Sequence, residues 1–393
     1  MNEEFYPDYS DSILNLSCSI LKHYGVTPDH DTIPAVDEIL SRNYKHVVVI
    51  LLDGLGMNIL EEHLNPRDFL RRNLLKDYSS VFPPTTTAST TSFLSGKSPV
   101  EHGWLGWDVY FEKEDKTVTC FTNKLQGTEQ IAADYDVVRK YFSYESIIDK
   151  INKSKSAEAN AIFPFGKKGF NTLDKWTDAI KQTCKSTKKT FTYAYWENPD
   201  HQLHRDGIRA ESIQKIITEL NSKLLLLCEE LKDTVVFITA DHGHKNIYGT
   251  YLQEEYPDFV EMLERPVSLE PRAISFYVKD KYKSVFSEEF KKYFGEDYIL
   301  FSKEDVLKKQ LFGPGIPHEN LTGIGDYVAV AVSDRTILWN KNYPSFKSHH
   351  AGLTKDEMRI PLICCKYKPR RHEFIIYYSL IAMGLLTLLI CVL

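Results

Sequence analysis

Continuous apolar runs alternate along this chain with stretches of helical period. Residues 46–56, HVVVILLDGLG, are aliphatic from Val47 to Leu52 and break at Asp53-Gly54. That pattern predicts a central parallel strand buried on both faces, with Asp53 at its carboxyl end. TFTYAYW (190–196), TVVFITADHG (234–243), AISFYV (273–278), YVAVAV (327–332) and RIPLICC (359–365) read the same way, and the helical stretch 206–231 separates two of them. Strands alternating with helices predict an α/β fold, a mostly parallel central sheet covered by helices on both faces. Ligands of such sheets gather at the carboxyl edge of the strands, where Asp53, Asp200, Asp241 and His242 fall.

The flanks of this core have their own patterns. Residues 1–44 hold two helices, the first with Ile13, Leu14, Leu16, Ile20 and Leu21 at helical spacing, expected to pack on the outside. Residues 45–365 form the main domain, within which 265–313 reads as strand, helix, strand, helix, a small α/β insertion or cap. The stretch 103–128, rich in Trp, Phe and charge, is irregular enough for a lid.

Composition narrows the class. With 42% hydrophobic and 26% charged residues over 393 positions, the chain is an ordinary globular protein. A net charge of −6 argues against binding nucleic-acid duplexes, which favours a basic face. Seven scattered cysteines without a C-x-x-C pair fit a reducing compartment better than a disulfide scaffold. The N-terminus is acidic and shows no apolar signal sequence. At the other end, residues 374–393 form a run of 20 without charge, long enough to span a bilayer, preceded by a basic linker at 366–373 with Lys366, Lys368, Arg370 and Arg371. These features predict a single-pass C-terminal anchor that leaves the body of the chain in the cytoplasm.

The candidate chemistry is dispersed. VFPPTTTASTTSFLSGKSPVEHG (81–103) places Thr85, Thr86 and Thr87 where a strand gives way to a helix, and orphan N–H groups at a helix N-terminus attract phosphate. Each piece alone has an ordinary reading: a turn at Asp53-Gly54, a helix cap at the threonines, a polar surface turn at Asp200 and His204, and a solvent-facing pair at His349 and His350. Asp241-His242-Gly243-His244 is stronger, because Asp and His leaving a buried strand have little packing value. Together, three aspartates, three histidines and a hydroxyl make a donor set for two divalent ions acting on phosphate.

LLDGLG, PPTTTASTTSFLSGKSPVEHG, YAYWENPDHQLH, ITADHGH and HHAGLTKDEM, in that order over most of residues 45–365, resemble the alkaline phosphatase superfamily and within it the type I phosphodiesterase and nucleotide pyrophosphatase family. The resemblance implies an alkaline-phosphatase-like fold with one ion on Asp53, Asp241 and His242 and another on Asp200, His204 and His350, His349 being the alternative. It implies Thr86 as the nucleophile beside the first ion, with Thr85 and Thr87 one residue away as alternatives. Two zinc ions suit these ligands, and manganese is chemically possible. The implied activity is hydrolysis of a small phosphodiester or pyrophosphate through a phosphothreonine. A phosphomonoesterase or phosphomutase on the same core, and a membrane-tethered binding protein without turnover, are the competing readings.

One departure bears on substrate. Where this family places an Asn after the His-Gly pair to hold a phosphate oxygen, the chain has Trp104, Leu105, Gly106 and Trp107. Either backbone N–H groups near Thr86 or the ammonium of Lys97 serve in its place, or the substrate differs from a nucleotide diester. Trp104, Trp107, Phe82 and Tyr195 are the aromatic side chains available to stack a nucleobase.

Overall fold

The computed structural model describes residues 4–166, 169–344 and 346–366. Its strands are numbered β1 to β17 in chain order. The main sheet has the order β2-β17-β8-β1-β7-β6: Leu74–Ser79, Arg359–Lys366, Thr234–Thr239, His46–Leu52, Thr190–Trp196 and Glu158–Ile162. The central strands β1, β7 and β8 are buried at every position, as their unbroken apolar runs require.

This sheet is mixed rather than nearly all parallel. β8, β1, β7 and β6 pair in parallel, but β17 is antiparallel to both β8 and β2. The physical reason lies at the sheet's carboxyl edge: the chain leaves His350 on that edge and turns through the short helix Lys355–Met358 directly into β17, so β17 runs back the other way.

Two of the expected core strands belong elsewhere. AISFYV and YVAVAV supply β12 (Ala273–Phe276) and β14 (Tyr327–Ala331) of a second, wholly antiparallel sheet. Its order is β13-β14-β12-β11-β3-β4-β5, the remaining members being Tyr298–Ser302, Ser268–Glu270, Asp108–Phe111, Lys116–Thr119 and Lys124–Leu125. Apolar side chains of β14 alternate between two cores: Val328 and Val330 face one with Val109 and Leu353, while Ala329 and Ala331 face another with Phe286, Phe290 and Phe294. Burial on both faces explains why these strands read like parallel ones. The stretch 103–128 is thus a meander at the edge of this sheet and not an irregular lid, and 265–313 shares the sheet with it.

Two short ribbons complete the strands. β10 (Tyr248–Tyr251) pairs with β15 (Arg335–Leu338), and β9 (Lys245–Asn246) pairs with β16 (Ser348–His349).

The N-terminal helix Ile13–His23 goes deeper than an outer position: it is buried from Ile13 to Leu21, and the Ser17 hydroxyl donates to the Phe93 carbonyl at 2.6 Å. Through that contact it supports the helix Thr86–Ser95. The helix expected over 206–231 is Glu211–Glu230, and the shorter helix Asp200–Asp206 precedes it. Among the described residues no helix is long and apolar enough to cross a membrane. The apolar run 374–393 and nearly all of its basic flank lie outside the described residues.

Candidate metal centre

Five separated segments converge on the carboxyl edge of the main sheet. β1 ends at Leu52 and the next residue, Asp53, is fixed by its backbone: its N–H donates to Trp196 and its carbonyl accepts from the Asp200 N–H. Gly54 has φ of 74°, and a Cβ there would sit 3.0 Å from the Asp200 Cα, so this turn needs glycine. Asp200 and His204 share one face of the helix Asp200–Asp206, 3.4 Å apart at Oδ1 and Nε2. β8 delivers Asp241 and His242, both fully buried, and the β9–β16 ribbon brings His244 beside His349 and His350.

The donors form two groups. Asp53, Asp241 and His242 make one; Asp200, His204, His244 and His350 make the other, with mutual separations inside each of at most 4.8 Å. Asp53, Asp200, His204, Asp241, His242 and His350 each lie in one or the other group. His350 rather than His349 enters the second group. His349 lies behind it, its ring 4.8 Å from that of His204.

The three threonines separate cleanly. Thr85 donates to Glu270 Oε1 at 2.7 Å, and Thr87 is buried with no hydrogen-bond partner for its hydroxyl. Thr86, the first residue of its helix and partly exposed, places Oγ1 3.2 Å from His242 Nε2 and 3.4 Å from both Asp53 oxygens. It alone of the three reaches the acidic group.

These residues fit two cations. Asp241 uses Oδ1 to accept from the Gly54 and His242 N–H groups, while its buried Oδ2 has no hydrogen-bond partner. Four imidazoles have Nδ1 engaged: His242 by the Gly243 carbonyl, His204 by the Ser348 carbonyl, His350 by the Pro84 carbonyl and His244 by the Ser348 hydroxyl. A proton on each Nδ1 turns the Nε2 lone pair toward the carboxylates, the orientation that second partners impose on metal-binding histidines.

Electrostatics point the same way. Burial, reinforced by neighbouring carboxylates, raises Asp53 and Asp241. Burial opposes the charged ring of His242, yet Asp241, Asp53 and Asp200 together lift it to about 10. Burial lowers His204, His244 and His350, keeping them neutral. Concentrated negative charge beside neutral imidazoles, buried except for partly exposed Asp200 and His204, calls for positive charge between them.

Two positioning groups were not anticipated. Arg272 and Glu357, both fully buried, form a two-pronged pair at 2.6 and 2.8 Å, and Glu357 also accepts from the Gly352 N–H and the Thr354 hydroxyl. The Glu357 carbonyl accepts from the Gly243 N–H, so this pair ties the loop after β8 to the loop after β16. Its only sequence signal was Glu357 inside HHAGLTKDEM. Tyr195 was considered for stacking, but its hydroxyl donates to Asp53 Oδ2.

Of the other aromatic candidates, Trp104 and Phe82 are core residues; Trp107 is 42% exposed, with its N–H donating to Glu270 at 2.7 Å. Lys97 follows the far end of the helix Thr86–Ser95, about 15 Å from Thr86 along a ten-residue helix. It does not replace the missing Asn.

Similar proteins share this architecture. A relative from Saccharomyces cerevisiae, ectonucleotide pyrophosphatase/phosphodiesterase 2, is 23% identical over 239 residues, covering 51% of this chain and 48% of its own. The chain thus aligns with about half the length of that relative. Murine ectonucleotide pyrophosphatase / phosphodiesterase 5, solved as an inactive variant with AMP, superposes with a TM-score of 0.58 at 17% identity over 80% of this chain and 87% of its own. Phosphonoacetate hydrolase from Sinorhizobium meliloti superposes with a TM-score of 0.60 at 13% identity, covering 82% and 90%. Residues 47–352, which carry every donor described above, match the type I phosphodiesterase / nucleotide pyrophosphatase family, and the chain belongs to it.

Proposed function

We propose that this chain hydrolyses small phosphodiesters or pyrophosphates, with Thr86 as nucleophile and two divalent cations, zinc by the ligand mix, held by Asp53, Asp241 and His242 and by Asp200, His204 and His350. The observation that carries this reading is the Thr86 hydroxyl lying 3.2 Å from His242 Nε2 and 3.4 Å from Asp53, at a helix N-terminus. Bound there, the cations supply positive charge against the entering and leaving oxygens and favour the alkoxide.

Asp53 and His242 hold the Thr86 hydroxyl in one orientation. Its Oγ1 gives its proton to solvent and attacks phosphorus in line; the Oγ1–P bond forms as the bond to the leaving alcohol or phosphate breaks, and the departing oxygen takes a proton from solvent. Water then attacks the phosphothreonine, releasing the phosphate product and restoring the hydroxyl. The first N–H groups of the helix have no partners within it and point at the transferred group, which supports their serving where the family uses Asn.

The AMP bound to the murine relative supports nucleotide substrates. The half-exposed Trp107 and the exposed Phe165, whose ring lies 5.9 Å from that of Tyr195, offer faces for a base. Rates on a nitrophenyl phosphodiester and on the monoester test the reading: the diester is turned over faster. A faster monoester rate would favour a monoesterase or mutase, and no turnover with both ions bound would favour a binding protein. The apolar run 374–393 supports a membrane tether with the catalytic body in the cytoplasm, which protease protection of intact membranes tests.

A further inference from the structure

His244 belongs to neither ligand triad implied by the motifs, yet it stands inside the imidazole-rich group and is fully buried. The Ser348 hydroxyl donates to the Leu203 carbonyl at 2.7 Å, so its oxygen is left to accept from His244 Nδ1, 3.1 Å away. A neutral ring protonated at Nδ1 presents a bare lone pair at Nε2. That lone pair lies 2.7 Å from Asp200 Oδ1, itself an acceptor. Two acceptors this close repel unless they share a positive charge.

The surrounding distances say where that charge belongs. Asp200 Oδ1 is 2.7 Å from His244 Nε2, 3.4 Å from His204 Nε2 and 3.9 Å from His350 Nε2. Ligands bonded at about 2.0–2.1 Å to a tetrahedral ion stand roughly 3.3 Å apart, inside that spread. Backbone geometry allows His244 to face this group while His242 faces the other. Gly243 packs so tightly that a Cβ there would lie 2.0 Å from the Asp356 carbonyl oxygen, and only glycine lets the chain turn between the two rings.

We propose that His244 Nε2 is a direct ligand of the second cation, giving that ion three imidazoles and Asp200. This inference rests on the two-cation reading above and changes its balance. Four protein donors hold that ion more tightly than three, and substrate oxygen reaches it as a fifth ligand, while the group at Thr86 keeps an open fourth position.

The test uses the full chain with nitrogen-15-labelled histidine, loaded with two equivalents of cadmium-113. One cadmium resonance is expected to couple to the Nε2 atoms of His204, His244 and His350, and the other to that of His242. In His244→Gln, with the fold verified by circular dichroism, the three-nitrogen resonance becomes a two-nitrogen one, and affinity for that ion falls at least about tenfold while the other is unchanged. A protonated His244 Nε2 without cadmium coupling, while His204 and His350 still couple, would overturn the proposal and leave His244 as a proton donor to Asp200. Loss of coupling at every histidine would overturn the two-cation reading with it.

Discussion

The two halves of the candidate metal centre place different donor types on different supports. Asp53, Asp241 and His242 follow directly on β1 and β8, the fully buried centre of the main sheet, with Thr86 against them. Asp200, His204, His244 and His350 come from a short helix and a two-stranded ribbon. A carboxylate-rich site on rigid strands, open on the threonine side, suits the reacting oxygens; an imidazole-rich site on stitched loops suits tight retention of an ion. Division of labour follows from which element each donor rides on.

Removing the hydroxyl probes the open half most severely. Thr86→Ala is expected to lower turnover of a phosphodiester at least about 10⁴-fold, ~5 kcal/mol of barrier, with metal content still near two per chain. Retained activity would detach the nucleophile from the carboxylate-rich half.

Arg272→Met probes the tie between the halves. It strands Glu357 as a buried unpaired carboxylate, so urea unfolding should show a loss of about 3–5 kcal/mol, and both ions should bind more weakly together. Loss confined to one ion would mean that the loops after β8 and β16 are held independently.

Smaller effects distinguish the halves individually. Asp241→Asn should weaken one ion about 10–100-fold and leave the other, whereas His204→Ala should do the reverse, read by chelator competition with zinc analysis. Simultaneous loss of both in either variant would make the centre one cooperative unit.

The mildest test concerns Glu270, which accepts from Thr85 and from the Trp107 N–H behind the open half. Burial raises it to about 8 against those hydrogen bonds. The folded chain keeps this proton to higher pH than the unfolded chain, whose carboxyl ionises near 4.5, so the contribution to stability is whole below pH 4.5 and lost as pH rises through 8. Glu270→Gln should therefore raise Tm by about 2–5 °C at pH 9 and leave it unchanged at pH 3.5, by calorimetry.

Strands buried on both faces were legible: β1, β7 and β8 show continuous apolar runs because every position meets a core. β2, with sequence LLKDYS, and β6, with EANAI, were not, because edge strands leave part of their length in water and keep polar residues. β12 and β14 were legible as strands but went to the wrong sheet, since an antiparallel strand between two cores carries the same apolar signal as a parallel one.

The site divides in the same way. Asp53, Asp200, Asp241 and His242 were readable because charged or imidazole side chains at the ends of apolar runs have no packing purpose. His244 stood in plain view in ADHGH, but its proximity to Asp200 depends on the β9–β16 pairing, formed between residues about a hundred positions apart. Arg272 gave no local signal, because its partner Glu357 is equally remote.

Local rules were enough for the residue classes: apolar runs specify strands, glycines permit the tight turns, and polar residues at strand ends announce chemistry, since each follows from a few neighbouring positions. Long-range pairing decided which of Thr85, Thr86 and Thr87 lies against the acidic group, which of His349 and His350 lies in the imidazole-rich one, and the direction of β17. Those outcomes turn on distances of a few ångströms between segments far apart in the chain, which folding alone brings into contact.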